Sequence, residues 1–321
     1  MSIKDIKFMK QKNMRQVIIS LIPIVFASVY YFGLRSLLLL TIISLTAVIT
    51  EYIFKFKSKK PVSEAIFVSA LLYGLTLPPS TPFWVASIGI IFGIVFGKEV
   101  FGGFGRNVFN PALVARAFVY VSFPSFLTTK WSLPFKAFPA GLTKYIAPTI
   151  DSVSTATPML NYRSTGFLES TKNLMFGNIS GSLGETCALL IIISGIYLLI
   201  KKTASYRSMA GTILGFFFTS YLMIFMGFTE IPSPFWGIFS GGMLFATVFM
   251  VTDPISSAKT NKGKWIYGFI IGSVTVIIRG FALFAGGVMF AVLIGNTFAP
   301  IIDEGIKSLE NIKKERRDVN A

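Results

Sequence analysis

The sequence predicts an all-α polytopic membrane protein, with about ten transmembrane helices in two inverted five-helix repeats containing broken or half helices. Three observations carry this prediction. Of 321 residues, 53% are hydrophobic and only 14% charged, with 33 Phe, so the polar surface is too small to cover a core in water. Apolar runs recur along the chain at the length that crosses a bilayer, ~20 residues at about 1.5 Å each. Gly and Pro interrupt such runs at corresponding places in the two halves.

Residues 1–16 form a basic stretch in which Lys is interleaved with Ile, Phe and Met, a composition suited to lying along an anionic inner membrane surface. A first span follows at 17–33. No small-residue cleavage site comes after it and a second span begins at once, so it reads as a permanent helix and not a signal peptide. Spans at 36–54, 64–78, 82–98 and 108–124 complete a first repeat, 17–124. Residues 125–182 form a long loop. Spans at 183–201, 207–227, 235–251, 264–279 and 281–302 form a second repeat, 183–302, and 303–321 is a charged tail. Most of the 30 Lys and Arg residues lie in the two termini and in alternate connections, such as 55–60 and 201–207. The positive-inside rule therefore places both termini in the cytoplasm and 125–182 outside.

Several spans are too short or too broken to be plain rods. The third ends in Leu77-Pro78-Pro79, and the next stretch carries Gly89, Gly93, Gly97, Gly102, Gly103 and Gly105. Asp253-Pro254 begins a similar pattern, with Gly268, Gly272, Gly280, Gly286 and Gly287, that closes at Asn296 to Pro300. Two copies of five spans, an odd number, have opposite orientations, the plan of many transporters. Broken helices at the centre of such folds let backbone groups face a cofactor or ion without meeting lipid. Close helix packing in membranes also favours small residues, and the pattern by itself supports both readings equally.

Missing residue types exclude chemistry. The chain has no His and a single Cys, Cys187. Alone it builds no zinc site, no cysteine-ligated cluster, no His-ligated haem, no His-based triad and no internal disulfide. No metal ligand set is expected. The net charge of +16 does not point to nucleic acid, because the basic residues sit in short runs between apolar stretches instead of on one solvated face.

Two segments carry the candidate chemistry. The run "GKEVFGGFGRNVFNPALVARAF" at 97–118 combines glycine turns with Lys98, Glu99, Arg106, Asn107, Asn110 and Arg116. Polar groups beside lipid need partners. Asn107 and Asn110, three apart, would share a helical face and could read the polar edge of a flat ring. Alternatively, Asn110 caps a helix opened by Pro111. Arg116 either pairs with an acid across the bundle or holds a ligand's polar edge. In the long loop, "DSVSTATPML" at 151–160 places Thr157 before Pro158, again a cap followed by a first helical residue. Glu185 and Asp253 are acids at the membrane edge, where an ion, proton or pairing role is usual; for Asp253, which precedes Pro254, a cap is the stronger reading.

At these motifs, together with "FGNISGSLGET" at 176–186, "MVTDPISS" at 250–257 and "GKWIYGF" at 263–269, the sequence resembles the RnfD/NqrB family. This is the flavin-bearing membrane subunit shared by Rnf complexes, which are ferredoxin:NAD oxidoreductases, and sodium-pumping NADH:quinone oxidoreductases. The resemblance implies FMN attached through a phosphoester to the last Thr of a motif reading Asp, two free positions, Ser or Thr, Gly, Ala, Thr. Here that motif is Asp151, Ser152, Val153, Ser154, Thr155, Ala156, Thr157, with Thr155 where Gly is usual and the acceptor hydroxyl on Thr157. It also implies a second, non-covalent flavin, riboflavin, at a site to which Asn107 and Asn110 correspond.

The implied function is electron relay within an ion-translocating complex (Na+ or H+), in a bacterial inner membrane. Partners would be the other membrane and peripheral subunits, including a second covalent-flavin subunit. Length favours the Rnf branch; "GKWIYGF" and "GGFGRNVFNPAL" are like the quinone-reductase branch. A non-redox transporter or channel for a small solute or ion is the alternative from another class, and the Asp151 to Thr157 pattern speaks against it. Cys187 could share a cluster only with thiolates from a partner subunit.

Overall fold

The computed structural model describes residues 7–56, 60–128, 131–135, 138–145, 156–282 and 287–319. Motif residues 151–155 and Gly286 lie outside them. Lipid leaves a backbone N–H or C=O no partner except another backbone group, so apolar runs become helices. They are α1 (Lys12–Phe32), α2 (Leu34–Phe56), α3 (Ala65–Leu75), α4 (Phe83–Ile94, extended by a π turn, Val95–Glu99), α5 (Pro111–Ser122), α6 (Pro124–Thr128), α7 (Pro158–Thr165), α8 (Thr171–Phe176), α9 (Ala188–Ile200), α10 (Tyr206–Phe225), α11 (Pro234–Phe239), α12 (Met243–Phe249), α13 (Asn261–Phe281) and α14 (Val288–Val319).

Among the described residues, five helices are long and apolar enough to cross a membrane: α1, α2, α10, α13 and α14. The other expected spans are shorter or broken. The segment expected at 235–251 is two short helices, α11 and α12, parted by Ser240, Gly241 and Gly242, the two glycines at φ 62 and 71. The span expected at 281–302 starts only at Val288 and continues without interruption into the charged tail. Near the N-terminus, Phe8–Met9 pairs in parallel with Val62–Ser63, so this part of the basic stretch is an ordered strand.

Packing follows the same order in both halves. α2 packs on α3 and α4, and α4 on α5; α10 packs on α11, α12 and α13, and α13 on α14. Matching helices touch where the halves meet, α1 on α9 and α5 on α14. The α10–α13 contact is close because small residues line it. A Cβ at Gly215 would lie 2.2 Å from the Phe269 carbonyl oxygen, and one at Gly272 would lie 2.1 Å from that of Thr212. Glycine here serves close backbone approach.

Non-helical backbone inside the bundle needs donors, and buried guanidinium groups supply them. Arg35 donates to the carbonyls of Pro79 and, at 2.7 Å, Thr81, across the α3–α4 break. Arg279 donates to Gly237 (2.7 Å), Ser240 (2.9 Å) and Gly241 (3.0 Å), across the α11–α12 break.

Candidate functional site

The broken helices leave two cavities at opposite ends of α9. Leu198, in the last turn of α9, lines the first; Glu185, just before its start, lines the second. α5 reaches both, since Pro111 borders the first and Arg116 the second. Five residues of helix separate these positions by about 7.5 Å of rise.

The first cavity gathers Asn107, Asn110 and Asp253 with Lys98, Ser69, Phe104 and Phe249. Asn110 is the N-cap of α5: its Oδ1 accepts the Ala112 N–H at 3.0 Å, with Pro111 as first helical residue. Its backbone N–H donates to Asn296 Oδ1 at 3.2 Å. The Asn107 Nδ2 donates to the Phe109 carbonyl at 3.0 Å, so that amide braces the turn entering α5. Asp253 caps a turn and not a helix: its carboxylate accepts the Ile255 N–H (3.0 Å) and the Ser256 hydroxyl (2.8 Å). The next helix, α13, is capped by Thr260, which Asp303 orients by accepting its N–H at 2.9 Å and its hydroxyl at 2.6 Å.

Beside this cavity sits a charge pair that the residue pattern does not single out. Lys98 Nζ lies 2.6 Å from Glu51 Oε2 and 2.6 Å from Ser63 Oγ, with Lys98 and Glu51 2% and 0% exposed. Glu51 also accepts the Ser63 N–H and hydroxyl. Glu51 stands near the end of the apolar α2, and the fold turns it inward.

The second cavity gathers Thr157, Arg116 and Glu185 with Tyr120, Trp131 and Phe290. Thr157 is the N-cap of α7, its Oγ1 accepting the Leu160 N–H at 3.4 Å. α7 is fixed to the second half of the chain: Tyr162 Oη donates to the Thr229 carbonyl at 3.0 Å and Arg163 to that of Ala282 at 2.5 Å. Arg116 Nη1 donates to the Thr76 carbonyl and lies 3.2 Å from Glu185 Oε1. Its Nε is buried with no hydrogen-bond partner among the described residues. The aromatic residues lining this cavity do not stand out in sequence, because Phe, Tyr and Trp also cover lipid-facing helix surfaces throughout the chain.

The six candidate residues thus divide three and three. A planar, partly anionic ring system suits the second cavity, which combines aromatic lining, an unsatisfied guanidinium N–H and a hydroxyl that could anchor it. The first offers amides and a carboxylate, its ammonium being held by Glu51 and Ser63. Cys187 lies outside both; it is the N-cap of α9, and its Sγ is 3.5 Å from the Met175 carbonyl oxygen.

The sequence pattern of the NQR2, RnfD, RnfE family matches residues 6–310. Similar curated proteins include the NqrB subunit of the Na(+)-translocating NADH-quinone reductase of Pseudomonas paraeruginosa (strain DSM 24068 / PA7), 38% identical over 269 residues, covering 82% of this chain and 64% of that protein. The same subunit from Azotobacter vinelandii (strain DJ / ATCC BAA-1303) is 39% identical over 271 residues, with coverage of 82% and 64%. That from Yersinia pestis is 35% identical over 281 residues, with coverage of 83% and 64%. The chain thus spans 64% of the length of these relatives. It belongs to the NQR2, RnfD, RnfE family.

Proposed function

We propose that this member of the NQR2, RnfD, RnfE family is the flavin-carrying electron-relay subunit of an ion-translocating membrane redox complex, with FMN esterified to Thr157. The observation that carries this reading is the second cavity, where Thr157, the incompletely satisfied Arg116 and three aromatic residues converge. Bound flavin would supply one- or two-electron transfer. The chain's own part is to attach, orient and charge-balance it. Thr157 offers the ester oxygen at the start of α7, where the helix dipole favours a phosphate.

Riboflavin in the first cavity, against Asn107 and Asn110, is the corresponding proposal for the second carrier. The matching packing of the two halves supports an inverted repeat, and the Lys and Arg distribution supports cytoplasmic termini with Thr157 on the outer face. Partners are the remaining subunits of the complex, a second covalent-flavin subunit among them, and the coupling ion is Na+ or H+.

For the assembly, the Rnf reading of the sequence stands beside the NADH:quinone reading, and the names of the relatives support the latter. Membranes from a strain lacking this chain decide between them: loss of ferredoxin-linked NAD reduction supports Rnf, and loss of NADH-linked quinone reduction supports the other. The flavin itself is tested by in-gel fluorescence of the denatured chain expressed with its flavin transferase. A fluorescent band is expected, lost in Thr157→Ala. A dark wild-type band would return the chain to the non-redox transporter class.

A further inference from the structure

Each cavity is bordered by a basic side chain held by a glutamate, but the two pairs are not equally complete. Lys98 has both Glu51 and Ser63 at 2.6 Å and is 2% exposed. Its charge is fully spent on the protein. Arg116 reaches Glu185 only at 3.2 Å, through the same Nη1 that donates to the Thr76 carbonyl, and its buried Nε has no hydrogen-bond partner among the described residues. Both members of this pair line the cavity that holds Thr157, and they are 12% and 15% exposed. A buried ion pair is costly to keep unless hydrogen bonds complete it. An incomplete one beside a cavity leaves capacity for a third charged group.

The guanidinium is a planar fork of donors matched to a planar acceptor edge. A flavin offers such an edge at N1 and the C2 carbonyl, where negative charge collects when the ring accepts an electron. Charge near N1 is one of the few ways in which a protein sets a flavin's potential. The other positive groups nearby do not line the cavity: Arg279 donates to three carbonyls, although its Nε also has no hydrogen-bond partner among the described residues, and Arg163 donates to that of Ala282.

We propose that Arg116 is the positioning residue that sets the midpoint potential of the flavin tethered at Thr157, and that Glu185 opposes it by competing for the same guanidinium. This rests on the flavin reading above. Each electron accepted adds one negative charge to the ring; Arg116 stabilises that charge and raises the potential. Glu185, by neutralising Arg116, holds the potential down. The two residues therefore act in opposite senses on one quantity, which a purely structural ion pair does not do.

The experiment is a spectroelectrochemical titration of the covalent flavin in the assembled complex, preceded by in-gel fluorescence of the denatured chain. In Arg116→Gln the equilibrium constant for one-electron reduction should fall at least tenfold, a midpoint lowered by about 59 mV. Glu185→Gln should raise the midpoint, and Arg116→Lys should fall between wild type and Arg116→Gln. A fluorescent band with potentials unmoved, or moved the same way by Arg116→Gln and Glu185→Gln, overturns the proposal while leaving the flavin reading intact. A dark wild-type band overturns both. Should Arg116→Gln fail to assemble, Glu185→Gln decides: an unchanged or lowered potential refutes the opposition.

Discussion

Asn296 and Asn110 join the two halves of the chain where they meet. The Oδ1 of Asn296 accepts the Asn110 backbone N–H at 3.2 Å, while its Nδ2 donates to the Ser256 carbonyl at 3.2 Å and to Tyr267 Oη at 2.8 Å. Both Asn side chains are buried. One amide thereby ties the start of α5 to α14, α13 and the turn at Asp253, and so holds the rim of the first cavity.

Replacing Asn296 by Ala should strand three buried groups at once, at a cost of about 1–3 kcal/mol for each that stays unsatisfied. The purified chain in detergent should melt several degrees lower, and Asn296→Leu should be no better. An unchanged melting temperature in both variants would mean that the junction is held by apolar packing alone.

Glu51→Gln leaves the Lys98 ammonium without its charge partner in a site 2% exposed. Breaking a buried pair from one side costs roughly 3–5 kcal/mol, whereas replacing both members by apolar residues is often neutral. Membrane accumulation should collapse in Glu51→Gln and recover in the double variant Glu51→Leu, Lys98→Met. Recovery is the diagnostic result; a double variant as poor as the single one contradicts the prediction.

Glycine substitutions should separate close contact from free surface. A Cβ at Gly272 would stand 2.1 Å from the Thr212 carbonyl oxygen, whereas one at Gly305 meets nothing within 4 Å. Gly272→Ala should force α10 and α13 apart and lower yield. Gly305→Ala should be neutral or stabilise by about 0.4–1 kcal/mol. Paired thermal melts of the two variants read the contrast directly.

The N-termini of α1 and α3 cap each other. Glu64 accepts the Gln11 N–H at 2.7 Å and the Arg15 guanidinium, and Gln11 Oε1 accepts the Ala65 N–H at 3.0 Å. Glu64→Ala should expose residues 7–12 to limited proteolysis without changing flavin fluorescence. Equal cleavage rates in wild type and variant would assign the ordering of this segment to the Phe8–Met9 pairing with Val62–Ser63 instead.

The positions of α1, α2, α10 and α13 were legible in the sequence to within a few residues, because lipid imposes both apolar side chains and internal backbone pairing on any spanning helix. Thr157 and Asn110 were legible as helix caps for a local reason: each stands directly before a proline that cannot donate and opens a helix. The Ser240 to Gly242 break was not, since Phe239 and Met243 on either side continue the same apolar run. Nor was the late start of α14.

By itself the sequence determined the solvent, the class of fold and the exclusion of zinc, cysteine-ligated cluster and His-ligated haem sites built by this chain alone, because composition limits what can be buried and what can coordinate. Only the tertiary structure decided which polar groups meet. It divided the six candidate residues between two cavities, turned Glu51 inward onto Lys98, and set Arg116 beside Glu185 across 69 positions of sequence. Charge pairing depends on distances of a few ångströms between elements far apart in the chain, and no local pattern of residues records them.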